Sequence, residues 1–169
     1  MNCDIIRPEM PGDMAAIQII HIEAFANHPI SHQTEHFIVN ALRRAGALAL
    51  SLVAEREGQI VGHVAFSRVM IDGRDQNWFM LGPVGVLPNC QKQGIGSALV
   101  RKGLERLKDM GADGCVLVGD PGFYARFGFS PRPGLVLPGI PPEYFMGTAF
   151  TSTIPSGMIA HHDAFFASC

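Results

Sequence analysis

Val84-Gly85-Val86-Leu87-Pro88-Asn89-Cys90-Gln91-Lys92-Gln93-Gly94-Ile95-Gly96-Ser97 reads as a strand that runs into a loop, which then opens a long helix. Ile95 to Met110 is the clearest helix of the chain, with Ile95, Leu99, Leu107 and Met110 as buried candidates. The glycines fall where loop becomes helix. Glycine accepts φ > 0 and puts no Cβ in the path of a ligand. The first N–H groups of a helix lack internal partners and carry the positive end of its dipole. Such a junction suits a phosphate or pyrophosphate. Two better-known phosphate motifs do not fit: Ser97-Ala98 follows Gly96 where a P-loop needs Lys and Ser/Thr, and Leu99 stands where a dinucleotide fingerprint needs its third glycine. What remains is Q-x-x-G-x-G over Gln91–Gly96, against which stands a glycine-lined turn with no ligand.

Outward from this stretch, the chain reads as α/β. Asp4 to Arg7 is a short first strand. Asp13 is an N-cap for a helix to about Ala26, with Ile17, Ile20, Ala24 and Phe25 inward. A second helix opens at Ser31 or Thr34, turns Phe37, Ile38, Ala41, Leu42 and Ala45 inward, and stops at Gly46. Leu48–Glu55 and Ile60–Val69 are strands joined by a tight turn, and Asp72-Gly73 marks another turn. Trp78–Val86 is a fourth strand in which Gly82-Pro83 and Gly85 predict a bulge. Gly114–Gly119 is a fifth strand, Phe123–Phe127 a short helix, and Tyr144–Phe150 and Met158–His162 two late strands. Strand, helix, strand around residues 95–110 requires a parallel crossover, while the early hairpins pair antiparallel. A mixed sheet with helices on both faces follows.

The 169 residues suit one domain, 1–169. With 47% apolar and 17% charged residues, a net charge of −2 and no basic stripe, nucleic acid is a poor partner. The apolar runs are too short to cross a membrane, and the start of the chain lacks the pattern of a secretory signal. Cys3, Cys90, Cys115 and Cys169 form no C-x-x-C pair, so free thiols in the cytoplasm are expected. Adjacent His161 and His162 point to opposite faces of a strand and do not converge on one metal ion, so no metal is expected.

The Gln91–Gly96 segment resembles the pyrophosphate-binding motif, Q/R-x-x-G-x-G/A, of the GCN5-related N-acetyltransferase (GNAT) superfamily. Leu81–Pro88 looks like that family's fourth strand, and Gly119-Asp120-Pro121-Gly122-Phe123-Tyr124-Ala125-Arg126-Phe127-Gly128-Phe129 like its fifth-strand end and short fourth helix. The pairing of these two segments is similar to a bacterial subgroup of predicted N-acetyltransferases. The resemblance implies a GNAT-like mixed, mostly antiparallel central sheet flanked by helices on both faces, with splayed fourth and fifth strands. It also implies an acetyl-CoA-dependent enzyme that transfers an acetyl group to a primary amine of a small molecule or peptide by direct attack in a ternary complex. The pantetheine arm is expected along Val84, Gly85 and Val86. The pyrophosphate is expected on Gln91, Lys92, Gln93, Gly94, Ile95, Gly96 and Ser97, with Asp120 and Tyr124 also at the cofactor.

Tyr124 matches the family tyrosine that protonates the leaving sulfur, and a phenol of pKa ~10 holds its proton at neutral pH. Packing with Phe123 and Phe127 is the plainer role for its ring. The glutamate that many relatives carry on the fourth strand is missing between Gly82 and Val86. Glu23, His28, His63 or a water relay are the candidates for general base. That missing acid also motivates the alternative of a non-catalytic acyl-CoA-binding sensor or interaction module. The acceptor stays open. So does a homodimer, for which the apolar Ala164-Phe165-Phe166 offers either interface or core.

Overall fold

The structure, a computed structural model, describes residues 3–169. Its spine is a hairpin of two thirteen-residue strands, β3 (Gln59–Ile71) and β4 (Arg74–Val86). Asp72 and Gly73 join them at φ of 50° and 75°, the left-handed conformations that a two-residue hairpin loop demands. Outward from β3 lie β2 (Leu50–Arg56) and then β1 (Ile5–Pro8), all antiparallel. On the other side β4 pairs in parallel with β5 (Gly114–Val118) through α3 (Ile95–Asp109), which is the expected crossover. The sheet continues through β8 (Phe145–Ala149) to the two-residue β6 (Ser130–Pro131). Two further short strands lie off this path: β7 (Leu135–Val136), paired with β9 (Gly157–Ala160), which also pairs with β3. The sequence does not predict β6 and β7. Their prolines and two-residue length leave no alternation to detect.

Helices cover both faces, and β3 shows why. Gly62 and His63 are neighbours, so they point to opposite faces. A Cβ on Gly62 would lie 2.9 Å from Leu99 of α3, whereas His63 bonds to His21 of α1 (Met14–Phe25). Beneath α3 the main core gathers Leu52, Val64, Phe66, Phe79, Leu99 and Leu117. On the opposite face Ile17 of α1, Val39 of α2 (Glu35–Arg44) and Val53 form a smaller cluster. Trp78, Ile71, Leu135 and Phe145 close a third cluster at the far end.

Some local expectations need correction. Met110 and Ala45 are exposed, because each lies where its helix has already run past the sheet, and Val39 takes the buried place on α2. Asp13 stands at the start of α1 but does not cap it through its side chain. Its carboxylate instead accepts from Met10 N–H at 2.7 Å and pairs with Arg7 at 2.8 Å. The C-terminal segment divides: Ala164 is buried, Phe165 packs at the edge of the third cluster, and Phe166 is 75% exposed.

α3 presses closely on the sheet at Gly103, where an added Cβ would lie 2.3 Å from Phe66 Cζ. Phe66 is fully buried and has no room to retreat. Gly103→Ala is therefore expected to destabilise the fold by about 1–3 kcal/mol despite the better helix propensity of alanine. Urea denaturation reads this directly, and an unchanged midpoint would contradict it.

Candidate functional site

The parallel pairing of β4 with β5 stops early. It covers Trp78, Phe79 and Met80 against Gly114, Cys115 and Val116, and goes no further. Beyond it β4 stays with β3, through Val84, Gly85 and Val86, while Leu117 and Val118 of β5 stay with β8. The two strands thus part after Met80, and a cleft opens between them. Strand alternation fixes which groups of β4 line it. Leu87 N–H donates to Val61 O on the β3 side at 2.9 Å. Backbone N–H and C=O groups of a strand alternate in direction, so those of Val84 and Val86 face the open side. The irregular pairing expected at Gly82-Pro83 is present: the register with β3 shifts between Val64 and Phe66, opposite those residues.

At the mouth of the cleft, the loop before α3 is built to present N–H groups. Lys92 and Gly94 adopt φ of 61° and 87°, and Gly94 is the helix N-cap. From Lys92 through Ser97 the backbone N–H groups meet no protein acceptor among the described residues. A run of N–H groups shaped by left-handed turns, at a helix N-terminus, is an anion-binding concavity. The side chains around it serve as braces. Gln91 Nε2 donates to Val86 O at 3.0 Å, and Gln93 spans Asn89 O at 3.2 Å and Arg56 at 2.7 Å. Gly96 lies between the walls: an added Cβ would stand 3.9 Å from both Val86 and Phe123. Protein packing alone would admit a methyl group there, so this glycine leaves space that the fold itself does not need.

The β5 wall ends in α4 (Pro121–Tyr124), whose N-cap Asp120 accepts from Gly122 N–H at 2.9 Å. Its carboxylate thus holds the short helix that carries Tyr124. The Tyr124 ring lies against Gly119, where a Cβ would come within 2.4 Å of Cε2. Phe123, Phe127 and Phe129 surround it with centroids 4.9, 6.3 and 6.1 Å away. Its hydroxyl makes no hydrogen bond among the described residues, so the packing role and an available phenol coexist. Burial, aided by the Cys115 thiol and the Asp120 carboxylate, pushes the phenol up to about 12, so it stays protonated. Beside α4, Arg101 and Arg126 stack on Phe127 and Phe123 at 5.0 and 4.9 Å and line a groove of about 390 Å³ along α3.

The base candidates do not come together. Glu23 is exposed on α1, and His28 is exposed in the following loop, where its Nδ1 accepts from Ile30 and Ser31 N–H. His63 is fully buried, on the α1 face of the sheet, with both ring nitrogens engaged. Nδ1 bonds to His21 Nε2 at 2.8 Å and Nε2 to Ser51 Oγ at 2.7 Å. The sequence pattern does not single out His21, although it sits on the buried stripe of α1 with Ile17 and Ile20. A polar residue on that stripe was the available signal.

Burial pushes His21 down to about 3, with His36 adding, and pushes His63 well below its ordinary value, with His21 and Arg43 adding. Both rings are neutral in the fold, whereas in the unfolded chain they take up protons near pH 6.5. The unfolded state thus binds more protons below that pH, and stability falls as pH drops from about 6.5 toward 3. Urea midpoints at pH 7.5 and 5.0 should show this drop, with a smaller one in His21→Gln. Equal drops in the two proteins would contradict it.

The profile of the acetyltransferase (GNAT) family matches residues 15–129. A GNAT family acetyltransferase from Brucella melitensis, solved in complex with acetyl-CoA, is 47% identical, with a TM-score of 0.88 over 98% of this chain and 99% of that one. The N-acetyltransferase YhbS of Escherichia coli, described as uncharacterized, is 38% identical over 74% of this chain and 72% of its own length. The crystal structure of YhbS in complex with CoA superposes with a TM-score of 0.86 at 31% identity, over 98% of this chain and 93% of that one. No helix among the described residues is long and apolar enough to cross a membrane.

Proposed function

This chain belongs to the acetyltransferase (GNAT) family, and on that premise we propose that it transfers an acetyl group from acetyl-CoA to a primary amine of a small molecule or peptide, by direct attack in a ternary complex. The observation that carries the reading is the run of unpartnered N–H groups from Lys92 through Ser97, next to the open edge of β4. That run receives the pyrophosphate. The Val84 and Val86 edge receives the pantetheine amides as an added strand would, which directs the thioester toward the point where β4 and β5 part. Acetyl-CoA supplies the activated carbonyl. A Val84 or Val86 N–H then stabilises the oxyanion as the amine adds. Tyr124 gives its proton to the departing sulfur, and the raised pKa keeps that proton in place until a thiolate develops.

Bringing amine and thioester together in the cleft supplies much of the acceleration, because the encounter becomes intramolecular. A second reading, an acyl-CoA sensor without turnover, draws on the lack of any acid from Gly82 to Val86. Thiol release from acetyl-CoA, followed against a panel of primary amines, separates the two. Amine-dependent release supports the enzyme. Tight acetyl-CoA binding with no release for any amine supports the sensor.

A further inference from the structure

Three buried polar side chains from three elements form one line across the sheet face under α1. Ser51 on β2, His63 on β3 and His21 on α1 are 9%, 0% and 1% exposed. They are joined at 2.7 and 2.8 Å. His21 has one ring nitrogen left. Its Nδ1 is buried and has no hydrogen-bond partner. That atom faces β4: a Cβ on Gly85 would stand 3.0 Å from Nδ1 and 3.2 Å from Cε1. Gly85 lies between Val84 and Val86, whose backbone groups line the open cleft. The line therefore has one end beside the reaction cleft and the other at Ser51, next to the β1 edge, where Glu9 N–H donates to Ser51 O. Buried polar groups in a fold are almost always paired, and an unpaired one calls for an explanation. An apolar side chain would fill this place in α1 with no such cost.

We propose that Ser51, His63 and His21 form a proton relay that accepts the proton of the acceptor amine at His21 Nδ1, beside Gly85. This deepens the acyltransferase reading and rests on it. His21 is the catalytic residue of the relay; His63 and Ser51 act through it. In the resting arrangement His21 Nε2–H donates to His63 Nδ1, and His63 Nε2–H donates to Ser51 Oγ. That leaves a lone pair on His21 Nδ1. As the amine forms its bond to the thioester carbon and the carbon–sulfur bond breaks, the nitrogen's proton passes to His21 Nδ1, directly or through one water. The His21 Nε2 proton moves to His63, the His63 Nε2 proton moves to Ser51, and the Ser51 hydroxyl proton leaves to solvent. The thiolate takes its proton from Tyr124. After product leaves, the reverse shift takes one proton from solvent at Ser51 and returns the His21 Nδ1 proton through water to the Tyr124 phenolate, which resets both the line and the acid.

The surroundings favour transit over storage of charge. From α2, His36 and Arg43 act on the two rings, and Arg43 is itself held by Glu9 at 2.8 Å. From β4, the facing stretch Gly82–Val86 carries no titratable side chain. Neither ring has a carboxylate partner among the described residues to hold an imidazolium in place.

Wild type, His21→Gln and Ser51→Ala are compared by thiol release from acetyl-CoA with the best amine of a panel, by acetyl-CoA titration, and in H2O–D2O mixtures. His21→Gln is expected to lower kcat at least ~100-fold, with the acetyl-CoA Kd within about threefold of wild type. In wild type, kcat should curve with deuterium fraction because several protons move together. In Ser51→Ala, kcat should fall and the curvature should lessen, because the outer transfers of the line are lost. A merely structural role would not change that curvature. Wild-type kcat in both variants overturns the relay. Should His21→Gln fail to fold, Ser51→Ala decides alone, and wild-type rate with unchanged curvature overturns it. A wild-type protein that binds acetyl-CoA but releases no thiol with any amine overturns the acyltransferase reading, and the relay with it. Amine-dependent turnover at the wild-type rate in both variants overturns the relay alone and leaves the acyltransferase reading standing.

Discussion

Gly96→Asp is expected to weaken acetyl-CoA binding at least ~100-fold, about 2.7 kcal/mol, while leaving the protein folded and no less stable. The two halves of this result come from the same geometry. Gly96 is the second residue of α3, and a Cβ there meets Val86 and Phe123 only at 3.9 Å, so a side chain can begin there without a clash. A carboxylate at a helix N-terminus is favourable by about 0.3–1 kcal/mol, and Asp is a better helix residue than Gly. The same carboxylate would occupy the free N–H groups of Lys92 through Ser97 and repel the pyrophosphate. Acetyl-CoA calorimetry and a thermal melt, run on one preparation, check both halves. Unchanged affinity would remove the pyrophosphate from this loop.

Tyr124→Phe is expected to lower kcat by ~10²-fold or more, with little change in acetyl-CoA Kd. The ring seat against Gly119, among Phe123, Phe127 and Phe129, depends on shape and accepts phenylalanine unchanged. Only the hydroxyl is lost, and it has no protein partner to leave stranded. Single-turnover thiol release measures the effect apart from product release. A rate within about threefold of wild type would return Tyr124 to a packing role and leave solvent to protonate the sulfur.

Much of this site is legible in the sequence because its chemistry is local. Gly94 and Gly96 lie two residues apart at a strand-to-helix junction. Gly82-Pro83 marks an irregular strand without knowledge of its partner, and Tyr124 sits in a segment whose glycines and aromatics follow one another. Each can be read from one element and the handful of residues beside it. The finer assignment within the loop is less legible. Gln91 and Gln93 stand in the motif, and their side chains brace the loop by bonding to Val86 O and Asn89 O. Gln93 is also held by Arg56, 37 residues away, a partner that only the fold brings within reach.

The His21–His63–Ser51 line is illegible for a related reason. His63 lies 42 residues from His21 and 12 from Ser51, and only the β2–β3 register together with the seating of α1 brings them into one row. From sequence, His63 beside Gly62 suggests a residue facing the cleft. In the fold the alternation of β3 turns Gly62 toward α3 and His63 toward α1, so the two neighbours serve different faces. Likewise Glu23 and His28 share the α1 region with His21 but point to solvent, because the stripe of Ile17, Ile20 and His21 is the one that meets the sheet.

The central claim is that the cleft between β4 and β5, with the N–H loop at its mouth, holds acetyl-CoA for transfer. Calorimetric titration of the protein with acetyl-CoA and CoA, alongside ATP and NAD, tests it most directly. Micromolar affinity for both CoA species, about 8 kcal/mol, with no heat from ATP or NAD, is the expected result. No binding of either CoA species would contradict the claim and leave the Gly94–Gly96 loop as a structural turn.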